Sequence, residues 1–240
     1  HWQRSTARVL EGNGYFPDNY ISCLTVAFIM LMPQIALLMP LYVTLVGGDL
    51  MAKEAEDGTL RMILCRPISR FRLGGVKWLA GALFSALLVV CLGVMALGFA
   101  RLWFPWGDMF IFVPMEVKIF NVLPAGQGLA LFAAAHLILA VNACTMFSLA
   151  FMFSCFNVKP AAATILAMSL LLVCFVLENM PFFEEYKDWM ITHHLRAWVM
   201  VFARPVPLPD MLASLSILLG VNATAFVIGV TAFQTRDIKS

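Results

Sequence analysis

Long stretches without a charged residue dominate the chain. Five runs, residues 19–48, 78–100, 119–158, 160–177 and 211–235, contain no Asp, Glu, Lys or Arg. A helix that crosses the bilayer core of about 30 Å needs about 20 predominantly apolar residues, so each run can hold one span. The pattern therefore predicts an all-α polytopic membrane protein with five transmembrane helices, at about residues 21–46, 76–100, 128–153, 161–178 and 211–233.

Prolines add detail to two of these helices. Pro33 and Pro40 both lie within the first predicted span, and each removes one helix hydrogen bond. We therefore expect a bend in that helix. Pro160 lies where the fourth predicted span begins, and the first turn of a helix tolerates proline.

Charge distribution predicts the orientation. The chain is 62% hydrophobic and 12% charged with a net charge of only +2, so nothing favours nucleic acid as a partner. Taking the loops alternately, one side of the membrane holds the residues 49–77 with six basic residues, the turn at Lys159, and Arg236 and Lys239 in the tail 234–240. The positive-inside tendency places this side in the cytoplasm, and we expect a multi-pass protein of the plasma membrane, the inner membrane of a bacterium.

The same topology places residues 1–20 outside. The chain begins at His1, and its first residues do not resemble a signal peptide. We therefore expect that a sixth, N-terminal transmembrane helix is missing from the chain as given. No internal repeat is visible, so residues 1–240 are interpreted as one membrane domain.

Two stretches on the outer side contain charged residues but are also rich in apolar and aromatic residues. Residues 179–210 interleave aromatic with charged residues, which predicts amphipathic helices that lie in the membrane interface or dip into it. Residues 101–127 form a similar but less charged outer loop.

The chain contains few residues that could form a catalytic or metal-binding site. His193 and His194 lie close to Glu184 and Glu185, so an outer metal site or a polytopic membrane enzyme can be imagined. Neighbouring residues on a helix point about 100° apart, which disfavours the two histidines as a pair of ligands on one helix face. The six cysteines contain no CxxC pair and are interpreted as small apolar residues within spans.

Uncharged polar residues occur within the predicted spans, and two interpretations of them stay open. Gln34, His136, Asn142 and Asn222 could line a path through the membrane or form hydrogen bonds between helices. No acidic or basic residue lies deep in a span, and Glu178 at the outer end of the fourth comes nearest. A proton or ion relay therefore has no obvious carrier.

The residues 49–77 carry the most local detail. We expect the first span to end at VGG, because its two glycines are flexible. AKEAED, residues 52–57, then favours a short charged helix, and Gly58 stands at a helix-ending position. Thr59 can cap a second helix, Pro67 breaks it, and Ser69 can cap again before the next span. The sequence therefore predicts a first short helix, a turn, a second short helix, a second turn and then the next transmembrane helix.

This stretch also resembles a known family. KEAEDGTLRMILCRPISRFRLGGVK, residues 53–77, is similar to the pattern E-x-x-x-G-T-L-x-x-L-L-x-x-P-[IV]-S-R, followed by a basic residue that enters a span. That pattern is typical of ABC-2-type transporter permeases, the type V ABC exporters. Glu54, Gly58, Pro67, Arg70 and Lys77 stand at pattern positions, and Ile63 in place of Leu is a mild departure.

The resemblance implies a function and a set of partners. The chain would be the transmembrane subunit of an ATP-driven exporter, paired with a second permease, itself or a similar one, and with two ATPase subunits that hold ATP and Mg²⁺. The permease itself would have no catalytic site, which agrees with the lack of a GxxxxGK[ST] motif. The expected coupling residues are Lys53, Glu54, Glu56, Asp57, Gly58, Thr59 and Leu60. Gln34 and Phe175 are candidates for the substrate path, because they lie in the helices that line it in this family.

Two other classes remain open at this point. A membrane enzyme or metal-handling protein would use His193 and His194, whereas a permease-like regulatory subunit would carry no substrate.

Overall fold

The computed structural model describes Gly12 and residues 21–65, 67–113 and 119–236, without the side chains of Arg61 and Leu64. The predicted outer loop at 1–20, apart from Gly12, and most of the predicted tail therefore lie outside the described residues. In chain order the elements are α1 Cys23–Glu56, α2 Thr59–Leu64, α3 Arg70–Trp103, β1 Met109–Val113, β2 Ile119–Leu123, α4 Ala125–Cys155, α5 Pro160–Glu178, a 3₁₀ helix Pro181–Trp189, α6 Ile191–His194, α7 Ala197–Met200 and α8 Leu208–Thr235.

Five of these helices, α1, α3, α4, α5 and α8, are long and apolar enough to cross a membrane. This confirms the predicted all-α polytopic fold. Most of their ends extend past the predicted spans, and α1 and α3 are the longest with 34 residues each. At 1.5 Å per residue each of these two is about 51 Å long, well beyond a hydrocarbon core of about 30 Å.

The first span changes helix type between its two prolines. Residues Gln34–Leu38 form a π turn, in which the N–H of Met39 donates to the carbonyl oxygen of Gln34, five residues earlier. Pro33 precedes this turn and Pro40 follows it. Because Pro40 cannot donate an N–H and its ring crowds the preceding turn, the helix widens there.

The charged helix predicted to follow VGG is not a separate element. Helix α1 runs without a break from the π turn through Gly47 and Gly48 to Glu56. The expectation that the glycines release the chain was wrong, because both are helical and sit where neighbouring helices approach too closely for a side chain. The transmembrane and charged parts of α1 are therefore one rod below the π turn.

Helix α4 lies at the centre of the bundle and packs against the other four spans. Its buried side chains include Phe147 and Phe151, both fully buried. Polar groups tie α4 to two neighbours within the membrane: Trp78 Nε1 donates to Ser148 Oγ at 2.9 Å, Ser148 Oγ donates to Asn222 Oδ1 at 2.7 Å, and Asn222 Nδ2 donates to Thr145 Oγ1 at 2.7 Å. Asn222 is thus an interhelical packing residue rather than a free group on a path.

The described ends of the spans meet in two groups. The C-terminus of α1, the helix α2, the start of α3, the α4–α5 turn and the C-terminus of α8 come together, and we call this the charged end. Among the described residues, the stretch 49–77, the α4–α5 turn and Arg236 therefore lie at one end of the bundle, and the side of the membrane that this end faces stays a prediction.

At the opposite end, two connections fold back onto the bundle. Strands β1 and β2 form an antiparallel hairpin in which Met109 pairs with Leu123 and Val113 with Ile119, where a loose amphipathic loop was expected. The α5–α8 segment, residues 179–207, contains the 3₁₀ helix, α6 and α7, and the last three residues of the stretch predicted at 179–210 belong to α8. Trp198 and Phe202 of this segment are buried against the bundle, and its predicted place in the membrane interface stays a prediction.

Candidate coupling site

The tip of α1 is an exposed charged turn. Asp57 closes the helix, its N–H donating to Lys53 O at 2.8 Å, and Gly58 follows with a positive φ of 73°. Only glycine adopts this left-handed conformation without strain, so Gly58 ends the helix where predicted. Lys53, Glu56, Asp57 and Gly58 are all exposed. They make a compact surface that carries both signs of charge.

The base of this tip is locked into the bundle. A Cβ on Gly47 would lie 2.7 Å from the carbonyl oxygen of Phe147, and one on Gly48 would collide with Thr164 of α5. Ser154 Oγ of α4 accepts from the N–H groups of Met51 and Ala52 at 3.0 and 2.9 Å. A force on the tip therefore reaches α4 and α5 directly.

Glu54 does not share the exposure of its neighbours. Its carboxylate pairs with Lys77 Nζ of α3 at 2.5 Å, and the same ammonium donates to Leu50 O at 2.8 Å. Both side chains are largely buried, at 33% and 14% exposed. We therefore interpret Glu54 as a link between α1 and α3, since its carboxylate points away from the surface that a partner would meet.

Thr59 and Leu60 also support the tip from within. Thr59 is the first residue of α2, not the residue before it, and its hydroxyl donates to Glu54 O at 3.3 Å. It thus caps the end of α1 instead of the start of α2. Leu60 is buried in the core, whereas Met62 on the same short helix is 67% exposed. Met62 was not predicted as part of this surface, and it adds one apolar side chain beside the charged turn.

Two arginines join the start of α3 to the ends of other spans. Ser69 caps α3 as predicted, with its Oγ accepting from the N–H of Arg72 at 3.2 Å. Arg70 Nη1 then donates to the carbonyl oxygens of Gln234 and Arg236, at 3.0 and 2.8 Å, at the end of α8. Carbonyls at a helix C-terminus lack partners within the helix and carry partial negative charge, so a guanidinium satisfies them well.

Arg236, just after α8, makes a similar contact with the α4–α5 turn. Its guanidinium donates to Phe156 O at 3.0 Å and to Asn157 Oδ1 at 2.7 Å, at the α4–α5 turn. Partial burial lowers the pKa of Arg236, but an arginine stays protonated at neutral pH. Arg70 and Arg236 together fasten α3, α8 and α4 at the charged end, a role that the charge pattern alone did not reveal.

Comparison with known proteins agrees with this architecture. The family model described as ABC-2 family transporter protein matches residues 13–238, nearly the whole chain. The chain belongs to the ABC-2 transporter family. A search of curated individual proteins finds none that matches it. The protein is thus a membrane permease of an ABC transporter, and the resemblance seen in residues 53–77 extends over all five spans.

The two candidate path residues of the permease lie at similar depth. Helices α1 and α5 run antiparallel and touch where Thr164 Oγ1 donates to Thr44 O at 3.4 Å. Gln34 and Phe175 lie ten and eleven residues from this contact, about 15 Å towards the opposite end. Phe175 is 49% exposed and Gln34 is partly exposed on the π turn. Phe175 is thus exposed and Gln34 partly so, at positions that lipid or a second permease could cover.

The two adjacent histidines of the permease have separate roles. Both ring nitrogens of His194 are engaged, with Ser214 Oγ at 3.1 Å and Asp188 O at 2.9 Å. His193 instead faces Glu178 and Asp188, at 3.4 and 3.7 Å. Within the described ranges no group of three or more His, Cys, Asp or Glu could hold a metal ion. The geometry therefore gives no support to the metal-handling alternative.

Proposed function

We propose that the protein is the transmembrane subunit of an ATP-driven exporter and that the exposed tip of α1 is its coupling surface. The charged end would face the cytoplasm of a bacterial cell, and ATPase subunits carrying ATP and Mg²⁺ would bind there. The observation that best supports the proposal is the continuity of α1 from the π turn to the charged turn at Asp57. Because the chain belongs to a transporter family, such a continuous helix can link an ATPase subunit to the transmembrane part.

The dimensions of α1 support a mechanical role. The helix exceeds the hydrocarbon core by about 20 Å, so its tip stands clear of the lipid. A rigid rod transmits a displacement of its tip to the transmembrane part, whereas a flexible joint at the glycines would absorb it. The close approach of Gly47 to α4, and the hydrogen bond from the N–H of Met51 to Ser154 Oγ of α4, make such a joint unavailable.

A second permease, identical or similar, would complete the path. In the single chain, α1 and α5 present exposed apolar side chains around Gln34 and Phe175, among them Leu37 and Leu172. Closing of the ATPase pair on ATP would move both tips, and the path between the two permeases would switch from inward to outward access. The energy for this cycle would come from the partner subunits.

The coupling assignment can be tested by reversing charge on the exposed tip alone. We expect the double variant Glu56→Lys/Asp57→Lys to lose ATPase copurification and at least about tenfold of transport-linked ATP hydrolysis in vesicles. Its melting temperature should stay near that of the wild type, because both side chains are exposed and surface changes cost within about 0.5 kcal/mol. Glu185→Lys, an equally exposed reversal on the α5–α8 segment, serves as the control. Full ATPase binding and transport in the double variant would refute the assignment.

A further inference from the structure

Glu178 is a buried acid at the end of a transmembrane helix. It is the last residue of α5, and its side chain is fully buried, at 0% exposed. Arg196 Nη2 lies 3.2 Å from Oε1 of this carboxylate, and His193 Nδ1 lies 3.4 Å from it. Both partners belong to the α5–α8 segment, so the charge joins that segment to the end of α5.

The position is unfavourable for an acid in two ways. A carboxylate at a helix C-terminus faces the negative end of the helix dipole. Burial also removes the carboxylate from water, and a buried ion pair regains this cost only in part. A well-packed apolar pair would often stabilise the protein at least equally well. Since an apolar pair would often serve stability at least equally well, a buried ionisable group at the end of a spanning helix is a candidate for function.

The α5–α8 segment is held firmly on its other sides. Phe28 of α1 packs against Trp198 and Phe202, with ring centroids 5.9 and 5.2 Å apart. Asn142 Nδ2 of α4 donates to Leu195 O at 2.7 Å, and Asn121 Nδ2 of the hairpin donates to Phe202 O. The segment thus belongs to a block formed with α1, α4 and the hairpin. Glu178 is the charged link between that block and α5.

We propose that Glu178 is a positioning residue whose ion pair with Arg196 latches the end of α5 to this block, and that the latch opens when the permease opens at this end. The proposal rests on the proposed function, because it assigns α5 a movement during transport. A charged pair suits this role, since it fixes one arrangement and yet can be separated when water enters between its members.

Cys174 provides a reporter for the latch. It lies one turn before Glu178 on the same face of α5, is partly buried, and its thiol lies beside the backbone of Ile191. Separation of α5 from the segment would expose it. The experiment measures the rate at which a hydrophilic maleimide labels Cys174 in the full chain in lipid nanodiscs, with the other five cysteines replaced by alanine. No ATPase is present, so the result does not depend on the coupling assignment.

Two variants separate a latch from a merely stabilising pair. Glu178→Gln should raise the labelling rate about tenfold or more, because the neutral amide holds Arg196 less strongly. Glu178→Gln/Arg196→Gln should keep the raised labelling rate but recover part of the melting temperature, since it removes both charges of the pair. Glu185→Gln, an exposed acid of the same segment, should label like the parent.

Two results would overturn the proposal. One is labelling of Glu178→Gln at the parent rate. The other is recovery of both the labelling rate and the melting temperature in the double variant, which would make the pair a stabilising contact only. If the single variant does not fold, the double variant decides alone: fast labelling supports the latch and parent-like labelling rejects it.

Discussion

Arg70 allows a sharp test of how the charged end is held together. Replacing it by glutamine removes the guanidinium that bridges the start of α3 to the last carbonyls of α8. Arg72 is the matched control, since it lies in the same first turn of α3, carries the same charge and is exposed. The comparison isolates the capping contact from the loss of one positive charge.

The expected magnitude follows from the geometry. Two of the contacts, at 3.0 and 2.8 Å, have good hydrogen-bond distances, and a third, to Phe233 O, is long at 3.4 Å. Hydrogen bonds to charged groups contribute about 1.5–3 kcal/mol each when shielded from water. The lower end of this range gives about 3 kcal/mol for two bonds. Because one of the two is exposed to solvent, we reduce this figure and expect a total loss of about 2 kcal/mol. The change for Arg72→Gln should stay within about 0.5 kcal/mol.

The exchange rate of the backbone amide hydrogens measures the stability of the last turn of α8. A loss of about 2 kcal/mol corresponds to about 30-fold faster exchange in the last turn of α8, if that turn opens separately from the rest of the bundle. Exchange near the middle of α4 should not change. Arg70→Lys should give an intermediate rate, because an ammonium keeps the charge but lacks the planar fork of donors. Equal exchange in Arg70→Gln and Arg72→Gln would refute the capping role.

Two further predictions concern the base of the tip. Gly47→Ala should destabilise the protein by about 1–3 kcal/mol, because its Cβ meets the backbone of α4, whereas Gly75→Ala, which has open space, should be neutral or stabilising. Thermal melting of the two variants decides this, and equal melting temperatures would contradict the close approach. Glu54→Gln and Lys77→Met should be non-additive by about 1 kcal/mol in a double-mutant cycle of unfolding in denaturant. Additive effects would show that the ion pair contributes nothing.

The spans could be predicted because the bilayer imposes a simple rule. Charge-free runs of sufficient length mark every helix that is long and apolar enough to cross among the described residues. The ends of α1 and α3 could not be predicted in this way, since a helix continues past the lipid wherever its residues and neighbours allow it. Lys53 and Glu56 are good helix formers in water, so charge marks the edge of the membrane but not the end of the helix.

Contacts between distant residues account for the other differences. The glycines at 47 and 48 were interpreted as flexible, because nothing in the sequence shows that α4 and α5 approach them. Similarly, Glu54 looked equivalent to Glu56 until Lys77, 23 residues later, was found beside it. The pairing of β1 with β2 depends on a long-range register that the apolar string MFIFV does not display. Local signals such as the Ser69 cap and the Gly58 helix end were predicted correctly, because they depend on adjacent residues only.

The π turn at Gln34–Leu38 gives α1 two angular phases. The π turn holds one residue more than the same length of regular α-helix. Each residue of an α-helix turns by about 100°, so side chains after the turn point about 100° away from the directions that the residues before it would predict. A helical wheel extended from Cys23 to the tip would therefore assign Glu54 to a neighbouring direction instead of the side of Lys77. The same offset lets one helix face two differently oriented sets of neighbours, one at each membrane surface. A single-residue deletion within the turn would rotate the charged tip relative to the opposite end while leaving every side chain of the tip unchanged.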